Sequence, residues 1–379
     1  MEYRGIWAEN GQPVEIGIGE GQIVSIREIP REPGLPFLCP GFFDIQINGY
    51  QGIDYSSNSL SPEQVLELCK TLVKTGTTRH LATIITTPKE RVLHSLRAIV
   101  EARKRYPFVQ KSLVGVHLEG PYISPEDGPR GAHNRLYVRP PDKTEFETFQ
   151  KAAEGIIKLV TLAPEQEGAL AFISYLKDQG VVPAIGHTGA TPERIREAVN
   201  AGALLSTHLG NGSHAQIPRL RNYIWEQLAA DSLYASLICD GFHLPPAVIK
   251  VIARAKGIGR LILVSDVAYV GGLKAGTYRW GTLEVELHPD GHITQIGTPF
   301  FAGAGHLLDR GIVQFMKATG LGWKEALQTC TTNPARLLGM EEEGFALCPG
   351  TPAHLVQFRY SEGSESIQVE QVVFEGEWF

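Results

Sequence analysis

Cysteine is scarce in this 379-residue sequence: the five cysteines lie far apart, and no two of them form a CxxC pair. Isolated cysteines exclude a disulfide framework and a thiolate zinc site, and they fit a reducing compartment best. Long hydrophobic runs are also missing, since no stretch approaches the ~20 apolar residues of a membrane span. The first residues contain no basic segment followed by an apolar one. We therefore expect a cytoplasmic protein with no membrane partner.

An excess of positive charge is missing as well. The formal net charge is -6 at pH 7, which argues against nucleic acid or an anionic membrane as the partner. A small anionic substrate would have to be bound by a few local cations. With 43% hydrophobic and 20% charged residues, the chain is an ordinary globular one, long enough for a large barrel-type domain and a smaller one.

Eight short apolar runs alternate with amphipathic stretches of helix length. The runs cover residues 39–47, 78–86, 113–119, 158–164, 181–187, 204–210, 234–240 and 261–266. Two of the stretches between them have clear helix start and stop signals, from Ser61 to Gly76 and from Thr191 to Gly202. Eight strands joined by helical crossovers predict a (β/α)8 barrel of the TIM type, because a doubly wound sheet would need fewer strands.

The two ends of the chain have a different pattern, with short strand-like segments broken by glycine. Residues 1–38 and 344–379 together predict a small β-domain, a β-sandwich formed by both termini, beside a catalytic barrel over residues 39–343. After the eighth strand, alternating apolar and polar residues around a Pro-Asp-Gly turn predict a β-hairpin insertion near residues 272–297.

Ionisable residues lie at or near the ends of four of the apolar runs, at the edge where barrels of this kind build their active sites. Glu119 ends the third run, His187 the fifth and Asp266 the eighth, and His208 is among the last residues of the sixth. One carboxylate and two imidazoles, with a position open for water, are a ligand set for a hydrolytic metal ion. The ion would lower the pKa of its water and polarise a carbonyl, and Asp266 could take the proton from that water.

A structural interpretation competes with this one, because a single histidine at a strand end is more often a packing residue than a ligand. Four such groups at one end of a barrel favour function, since buried charges without partners are costly. His117 shares a strand face with Glu119 and could support the ligands instead of binding metal. The histidines at 80, 94, 288, 292 and 354 lack this placement and are expected to be surface or packing residues.

Several motifs spread along nearly the whole chain have counterparts in a known family. They are PGFFDIQING, HLEGPYISPEDGPRGAHN, IGHTGAT, STHLGNGSH, CDGFHL, LVSDV and TTNPARLLG. The sequence resembles the amidohydrolase superfamily and, within it, the N-acetylglucosamine-6-phosphate deacetylase family. The resemblance implies a metal-dependent (β/α)8 barrel with a small β-domain. It also implies removal of the N-acetyl group from an amino-sugar 6-phosphate, most simply N-acetylglucosamine 6-phosphate.

The resemblance has implications for the metal and the assembly. Many superfamily members bind a second metal through an HxH pair, and this sequence has Gln46 and Asn48 at those positions. One divalent ion per subunit is therefore implied, on Glu119, His187 and His208. Zinc suits this set, and iron, cobalt and manganese are alternatives. The family also suggests a homodimer.

The resemblance assigns roles to further residues. Asp266 matches the general acid–base, and His243 matches a histidine that contacts substrate near the reacting amide and could stabilise the oxyanion. Arg219 has the spacing of a phosphate-binding arginine, although an exposed loop arginine would look the same. Other matched substrate contacts are Ala132, His133, Asn211, Gly212, Phe301, Ala302 and Gly303.

Departures from the family pattern fall at residues 210–213 and 298–305 and leave the metal and acid–base residues untouched. They alter the walls around the sugar, so the reaction class is better determined than the substrate. The alternatives are another acetylated amino sugar, with or without phosphate, or a cyclic amide. A non-catalytic sugar-phosphate binding protein on this scaffold is a further alternative, but binding alone would not need Asp266.

Overall fold

A parallel barrel of eight strands forms the larger part of the molecule. The computed structural model describes residues 1–281, 283–298, 300–340, 345 and 347–379. The barrel strands are Phe42–Ile47, Thr77–Ile85, Leu113–Glu119, Ile157–Leu162, Val182–Ile185, Leu205–Ser206, Tyr234–Ile238 and Leu261–Val264. Each strand pairs with the next one in chain order. The predicted (β/α)8 barrel is therefore confirmed, and each of the eight apolar runs overlaps a barrel strand.

The sheet closes where the eighth strand returns to the first. The backbone N–H of Asp266 donates to the carbonyl of Gln46 at 2.9 Å, and the N–H of Asn48 donates to the carbonyl of Val267 at 3.0 Å. Three of these four residues were singled out from the sequence for their side chains. Barrel closure thus fixes the backbone of the residues whose side chains point into the barrel mouth.

Helices cover the outside of the barrel. They are Pro62–Lys74, Lys89–Arg105, Pro107–Ser112, Lys143–Ala152, Ala169–Asp178, Pro192–Ala201, Tyr223–Ala229, Pro246–Lys256, Leu308–Thr319, Trp323–Thr329 and Thr332–Leu337, with 3-10 turns at Arg135–Tyr137 and Ile258–Arg260. Ser61 and Gln64 form a capping box at the start of the first helix, and Thr191 caps the helix that begins at Pro192. Both predicted helix starts are confirmed. No helix in the described ranges is long and apolar enough to cross a membrane.

Strands from both ends of the chain form a separate seven-stranded sheet. They are Glu2–Trp7, Pro13–Gly19, Gln22–Glu28, Phe37–Pro40, Leu355–Arg359, Gln368–Phe374 and Glu377–Trp378. Phe37–Pro40 joins the two ends, because it pairs with Glu2–Trp7 on one side and with Leu355–Arg359 on the other. The small β-domain built from both termini is confirmed. The predicted boundary at residues 343 and 344 lies outside the described residues.

A three-stranded antiparallel sheet follows the eighth barrel strand. It contains Gly276–Trp280, Leu283–Leu287 and Ile293–Gln295, and the last two are joined across the Pro-Asp-Gly turn. A short hairpin, Gly49–Tyr50 with Ile53–Asp54, follows the first barrel strand. The two insertions meet where the indole N–H of Trp280 donates to Asp54 at 3.1 Å. This contact places the three-stranded sheet beside the barrel mouth.

Asn333, in the TTNPARLLG motif, anchors the chain that leads into the eighth barrel strand. Its fully buried amide donates to the carbonyls of Ile258 and Leu261, both at 2.7 Å. Asn333→Ala removes both donors, and a buried polar group left unpaired costs about 1–3 kcal/mol. We expect the free energy of unfolding, measured by urea denaturation, to fall by about 2–4 kcal/mol. Exposed Asn10 is the matched control, and a change at Asn333 no larger than that of Asn10→Ala would contradict the anchoring role.

Candidate active site

The four ionisable residues predicted at the strand ends converge at the barrel mouth. Glu119 is the last residue of its strand, whereas His187, His208 and Asp266 each lie two residues beyond the end of theirs. All four are buried. The last three have left-handed backbones, with φ of 51°, 31° and 51°. Left-handed φ is uncommon outside glycine and is concentrated at functional sites, so the backbone independently supports a functional role.

The three predicted metal ligands form a compact triangle. Glu119 Oε1 lies 3.1 Å from His187 Nε2 and 2.9 Å from His208 Nε2, and the two nitrogens are 3.1 Å apart. A tetrahedral zinc ion with ligand bonds of about 2.0–2.1 Å holds its ligand atoms roughly 3.4 Å apart. The donor spacing is therefore close to what one ion requires.

The hydrogen bonding of His187 supports a cation at this position. Its Nδ1 lies 2.9 Å from the carbonyl oxygen of Pro129, so Nδ1 carries the proton and donates it. Nε2 then presents a lone pair to the Glu119 carboxylate, which is repulsive unless a proton or a cation lies between them. One carboxylate oxygen and two imidazole nitrogens are donors that fit a divalent metal ion.

His133 stands beside this triangle. One of its ring nitrogens lies within 4.8 Å of the ligand atoms of Glu119 and His187, so it belongs to a wider group of metal-binding type. Its Nδ1 is 2.9 Å from the hydroxyl of Thr86. We assign the ligand set to the triangle of Glu119, His187 and His208, because its three donor atoms all lie within 3.1 Å of one another, close to the spacing that one ion requires. His133 is then free to contact substrate, as the resemblance implied.

The carboxylates of Glu119 and Asp266 have pKa values shifted in opposite directions. Burial raises the pKa of Glu119, but the hydrogen bonds and charges of His187 and His208 outweigh burial and hold this pKa well below its usual value. Burial, followed by the negative charge of Glu119, raises the pKa of Asp266 to about 6. Glu119 therefore remains ionised, as a metal ligand would need to be, whereas Asp266 can exchange a proton near neutral pH.

Gln46 and Asn48 connect the two carboxylates. The Gln46 amide donates to Glu119 Oε1 at 2.9 Å and to Asp266 Oδ1 at 3.1 Å, and the Asn48 amide donates to Asp266 Oδ1 at 2.8 Å. Both residues direct N–H groups, and not lone pairs, at the position where a second cation would need ligands. The arrangement supports a single ion and orients Asp266 from one side.

His243 is oriented by Asp240, a residue for which the sequence suggested no role. His243 Nδ1 lies 2.8 Å from Asp240 Oδ2, and the backbone N–H groups of Phe242 and His243 donate to Asp240 Oδ1, both at 2.9 Å. The carboxylate fixes the proton on Nδ1 and leaves Nε2 for a substrate. The three-residue spacing between Asp240 and His243 in the DGFH motif is the sequence signal that could have indicated this pairing.

His117 lies apart from the triangle. Its Nε2 is 2.7 Å from the hydroxyl of Thr161, which is 2.8 Å from the hydroxyl of Thr207. Burial lowers the pKa of His117 to about 4, so the ring is neutral and acts as a support. The histidines at 80, 94, 288, 292 and 354 are likewise outside the residues that line the site.

The metal triangle opens into a cavity of about 280 Å³. Most of the predicted substrate contacts line it, namely Ala132, His133, Asn211, Gly212, His243, Phe301 and Gly303. Ala302 does not, because it is fully buried between two residues that face the cavity. Arg219 is exposed and lies outside the lining. Ala302 was assigned by its position in a partly matching motif and Arg219 by its spacing from His208, and neither determines where a side chain points.

The cavity is also lined by residues that the sequence did not single out. They are Asp54, Ser56, Ile85, Thr86, Thr87, Arg91, Asn134, Tyr137, Ile238, Trp280 and Leu283. Several of them come from the two hairpins and from the loop after the second barrel strand. None of them is an ionisable residue at the end of a barrel strand, which was the pattern that marked the predicted metal ligands.

Comparison with known proteins supports the class of enzyme that the barrel and its site define. Residues 37–379 match the model of the amidohydrolase family. The chain belongs to this family, and the resemblance drawn from its motifs is confirmed.

Two relatives and one solved structure show which members of the family the chain is similar to. The chain is 33% identical over 355 residues to the N-acetylglucosamine-6-phosphate deacetylase of Bacillus subtilis, covering 90% of this chain and 87% of that protein. It is 28% identical over 375 residues to the N-acetylgalactosamine-6-phosphate deacetylase of Escherichia coli O157:H7, covering 98% and 95%. A variant of the Mycobacterium smegmatis N-acetyl-D-glucosamine-6-phosphate deacetylase, solved with N-acetyl-D-glucosamine-6-phosphate, has a TM-score of 0.88 at 27% identity, covering 100% and 98%.

Proposed function

We propose that this chain is a metal-dependent deacetylase that hydrolyses the N-acetyl group of N-acetylglucosamine 6-phosphate, giving acetate and glucosamine 6-phosphate. One observation carries the proposal: His187 and His208 converge within 3.1 Å on the Glu119 oxygen that Gln46 links to Asp266. This arrangement supports a one-ion hydrolytic centre with an acid–base group beside it. The names of the relatives support the same reaction and substrate class.

Glu119, His187 and His208 would hold the ion. We propose zinc, because two imidazoles and one carboxylate with an open position are typical of catalytic zinc sites; iron, cobalt and manganese accept similar donors. A divalent ion, when bound, lowers the pKa of a water molecule and polarises the amide carbonyl.

Asp266 moves the proton in this scheme. Its Oδ1 is occupied by the amides of Gln46 and Asn48, which leaves Oδ2 to accept a proton from the attacking water. As the water oxygen bonds to the acetyl carbon and the C–N bond breaks, Asp266 returns this proton to the leaving amine. Asp240 orients the His243 ring through Nδ1, and we propose that the ring so oriented stabilises the oxyanion on the acetyl carbon.

We also propose that the enzyme is a cytoplasmic homodimer. The family resemblance supports the dimer, and the isolated cysteines suit a reducing compartment. Light scattering after size-exclusion chromatography would test the assembly, and a mass of one chain would contradict it.

Acetate release from a panel of N-acetylated hexosamines tests the reaction and its substrate. We expect metal-loaded enzyme to prefer N-acetylglucosamine 6-phosphate over the unphosphorylated sugar by at least ~100-fold in kcat/KM, since charged hydrogen bonds contribute about 1.5–3 kcal/mol each. The 4-epimer with 6-phosphate belongs in the panel, because one relative is named for it. Tight binding without acetate release from any sugar would contradict the proposal and favour a binding protein.

A further inference from the structure

The turn that leads into His243 is held by an arginine of a neighbouring helix. Arg310 lies in the first turn of the helix Leu308–Thr319, and its side chain is only 18% exposed. Its Nε donates to the backbone carbonyl of Asp240 at 2.6 Å. No other hydrogen bond reaches this carbonyl from the described part of the chain. Because a buried carbonyl without a donor is costly, Arg310 provides a bond that the turn needs.

Arg310 also contacts the two residues between Asp240 and His243. Gly241 has a left-handed φ of 89°, and a Cβ at this position would lie 3.4 Å from a terminal nitrogen of Arg310. The guanidinium carbon of Arg310 is 5.4 Å from the centre of the Phe242 ring, a distance typical of a cation–π contact. One side chain therefore contacts all three residues that precede His243.

The helix itself gains nothing from an arginine at position 310. A cation near a helix N-terminus is unfavourable, because the free backbone N–H groups there already carry partial positive charge. Glu365, in the loop before the terminal-domain strand Gln368–Phe374, lies 3.4 Å from an Arg310 nitrogen, but its side chain is 59% exposed. Exposed ion pairs contribute little. The contacts with the turn are therefore the stronger reason for an arginine here.

The same turn sets the direction of the His243 side chain. One oxygen of the Asp240 carboxylate accepts from the backbone N–H groups of Phe242 and His243, and the other lies 2.8 Å from His243 Nδ1. The imidazole packs against Phe301 with ring centres 4.6 Å apart. A shift of the backbone at Asp240 would therefore move the carboxylate and the imidazole together, relative to the cavity.

We propose that Arg310 is a positioning residue for the deacetylation, because it holds the turn of Asp240, Gly241 and Phe242 so that His243 meets the reacting amide. The inference rests on the proposed function and adds to it a residue outside the cavity. Arg310 is not among the described residues that line the cavity, so it acts on the reaction through the turn. A misplacement of about 1 Å at a catalytic group can lower a rate about 100-fold, so such a support has a measurable effect.

A double-mutant cycle of Arg310→Ala with His243→Ala tests the inference, with kcat/KM for acetate release from N-acetylglucosamine 6-phosphate as the readout. We expect Arg310→Ala to lower kcat/KM about 10- to 100-fold when His243 is present. His243→Ala should lower it about 10²–10³-fold, which leaves activity that can be measured. In the His243→Ala background, Arg310→Ala should cost less than about 2-fold, because no imidazole is left to position.

Lys317→Ala is the matched control. Lys317 lies on the same helix and also pairs with Glu365, but it has no contact with the turn among the described residues. It should keep the wild-type kcat/KM, and a loss equal to that of Arg310→Ala would assign the effect to the charge of the helix and overturn the inference.

Equal losses from Arg310→Ala in both backgrounds would show a general structural role and would also overturn the inference, as would a wild-type kcat/KM in Arg310→Ala. If Arg310→Ala does not fold, Arg310→Met replaces it in the cycle, because methionine keeps an apolar stem but has no donor. The same loss, confined to the background with His243, is expected; no loss, or an equal loss in both backgrounds, overturns the inference. Wild-type enzyme that releases no acetate would instead refute the proposed function.

Discussion

Asp266→Asn is expected to reduce acetate release by about 10²–10⁴-fold, the contribution usual for a positioned acid–base group. The substituted amide has nearly the same shape and can still present an oxygen to the amides of Gln46 and Asn48, but it cannot take or return a proton. Metal content should remain at the wild-type level, because Asp266 contributes none of the three atoms in the ligand triangle. Steady-state kinetics and elemental analysis of the same preparation test both statements.

Asp231→Asn provides the isosteric control for this experiment, since Asp231 is exposed. Full activity in Asp266→Asn would remove Asp266 from the mechanism. Loss of the metal together with activity would make Asp266 a ligand and would contradict the assignment of its proton-transfer role.

Glu119→Gln is expected to remove both metal and activity. The histidines at 187 and 208 converge on one oxygen of this carboxylate, and an uncharged amide cannot balance the charge of a divalent ion in a buried site. We expect metal affinity to fall at least ~100-fold, since loss of even an outer residue of a metal site costs about 10–100-fold. Dialysis followed by elemental analysis measures the effect.

Two controls make the metal experiment specific. Exposed Glu167→Gln repeats the chemical change away from the site and should keep the ion. His133→Ala should also keep it, because His133 lies outside the tight triangle. Retention of a full equivalent of metal by Glu119→Gln, or its loss from His133→Ala, would contradict the assigned ligand set.

The fold and the metal triangle could be predicted because each leaves a local signal. Barrel strands appear as short apolar runs, and parallel strands bring their carboxyl ends to one edge. Glu119, His187, His208 and Asp266 stand at or just beyond those ends, so the topology alone was enough to bring them together. Gln46 and Asn48 were identified through the family resemblance, but their hydrogen bonds to both carboxylates could not be read from spacing.

The remaining walls of the cavity could not be predicted, because their residues meet only in the folded chain. Asp54 and Trp280 are 226 positions apart and belong to different insertions. Arg91 lies inside a helix, where nothing distinguishes it from the exposed Arg97 on the same helix. The direction of each side chain decides that Phe301 lines the cavity and Ala302 does not. Such details depend on packing and not on sequence motifs.

A metal titration followed by acetate release tests the central claim most directly. Metal-free enzyme would be reloaded in steps and assayed with N-acetylglucosamine 6-phosphate at each step. The single triangle of Glu119, His187 and His208 predicts that activity rises linearly and reaches its plateau at one equivalent per chain. Full activity without metal, or a plateau that requires two equivalents, would contradict a one-ion deacetylase.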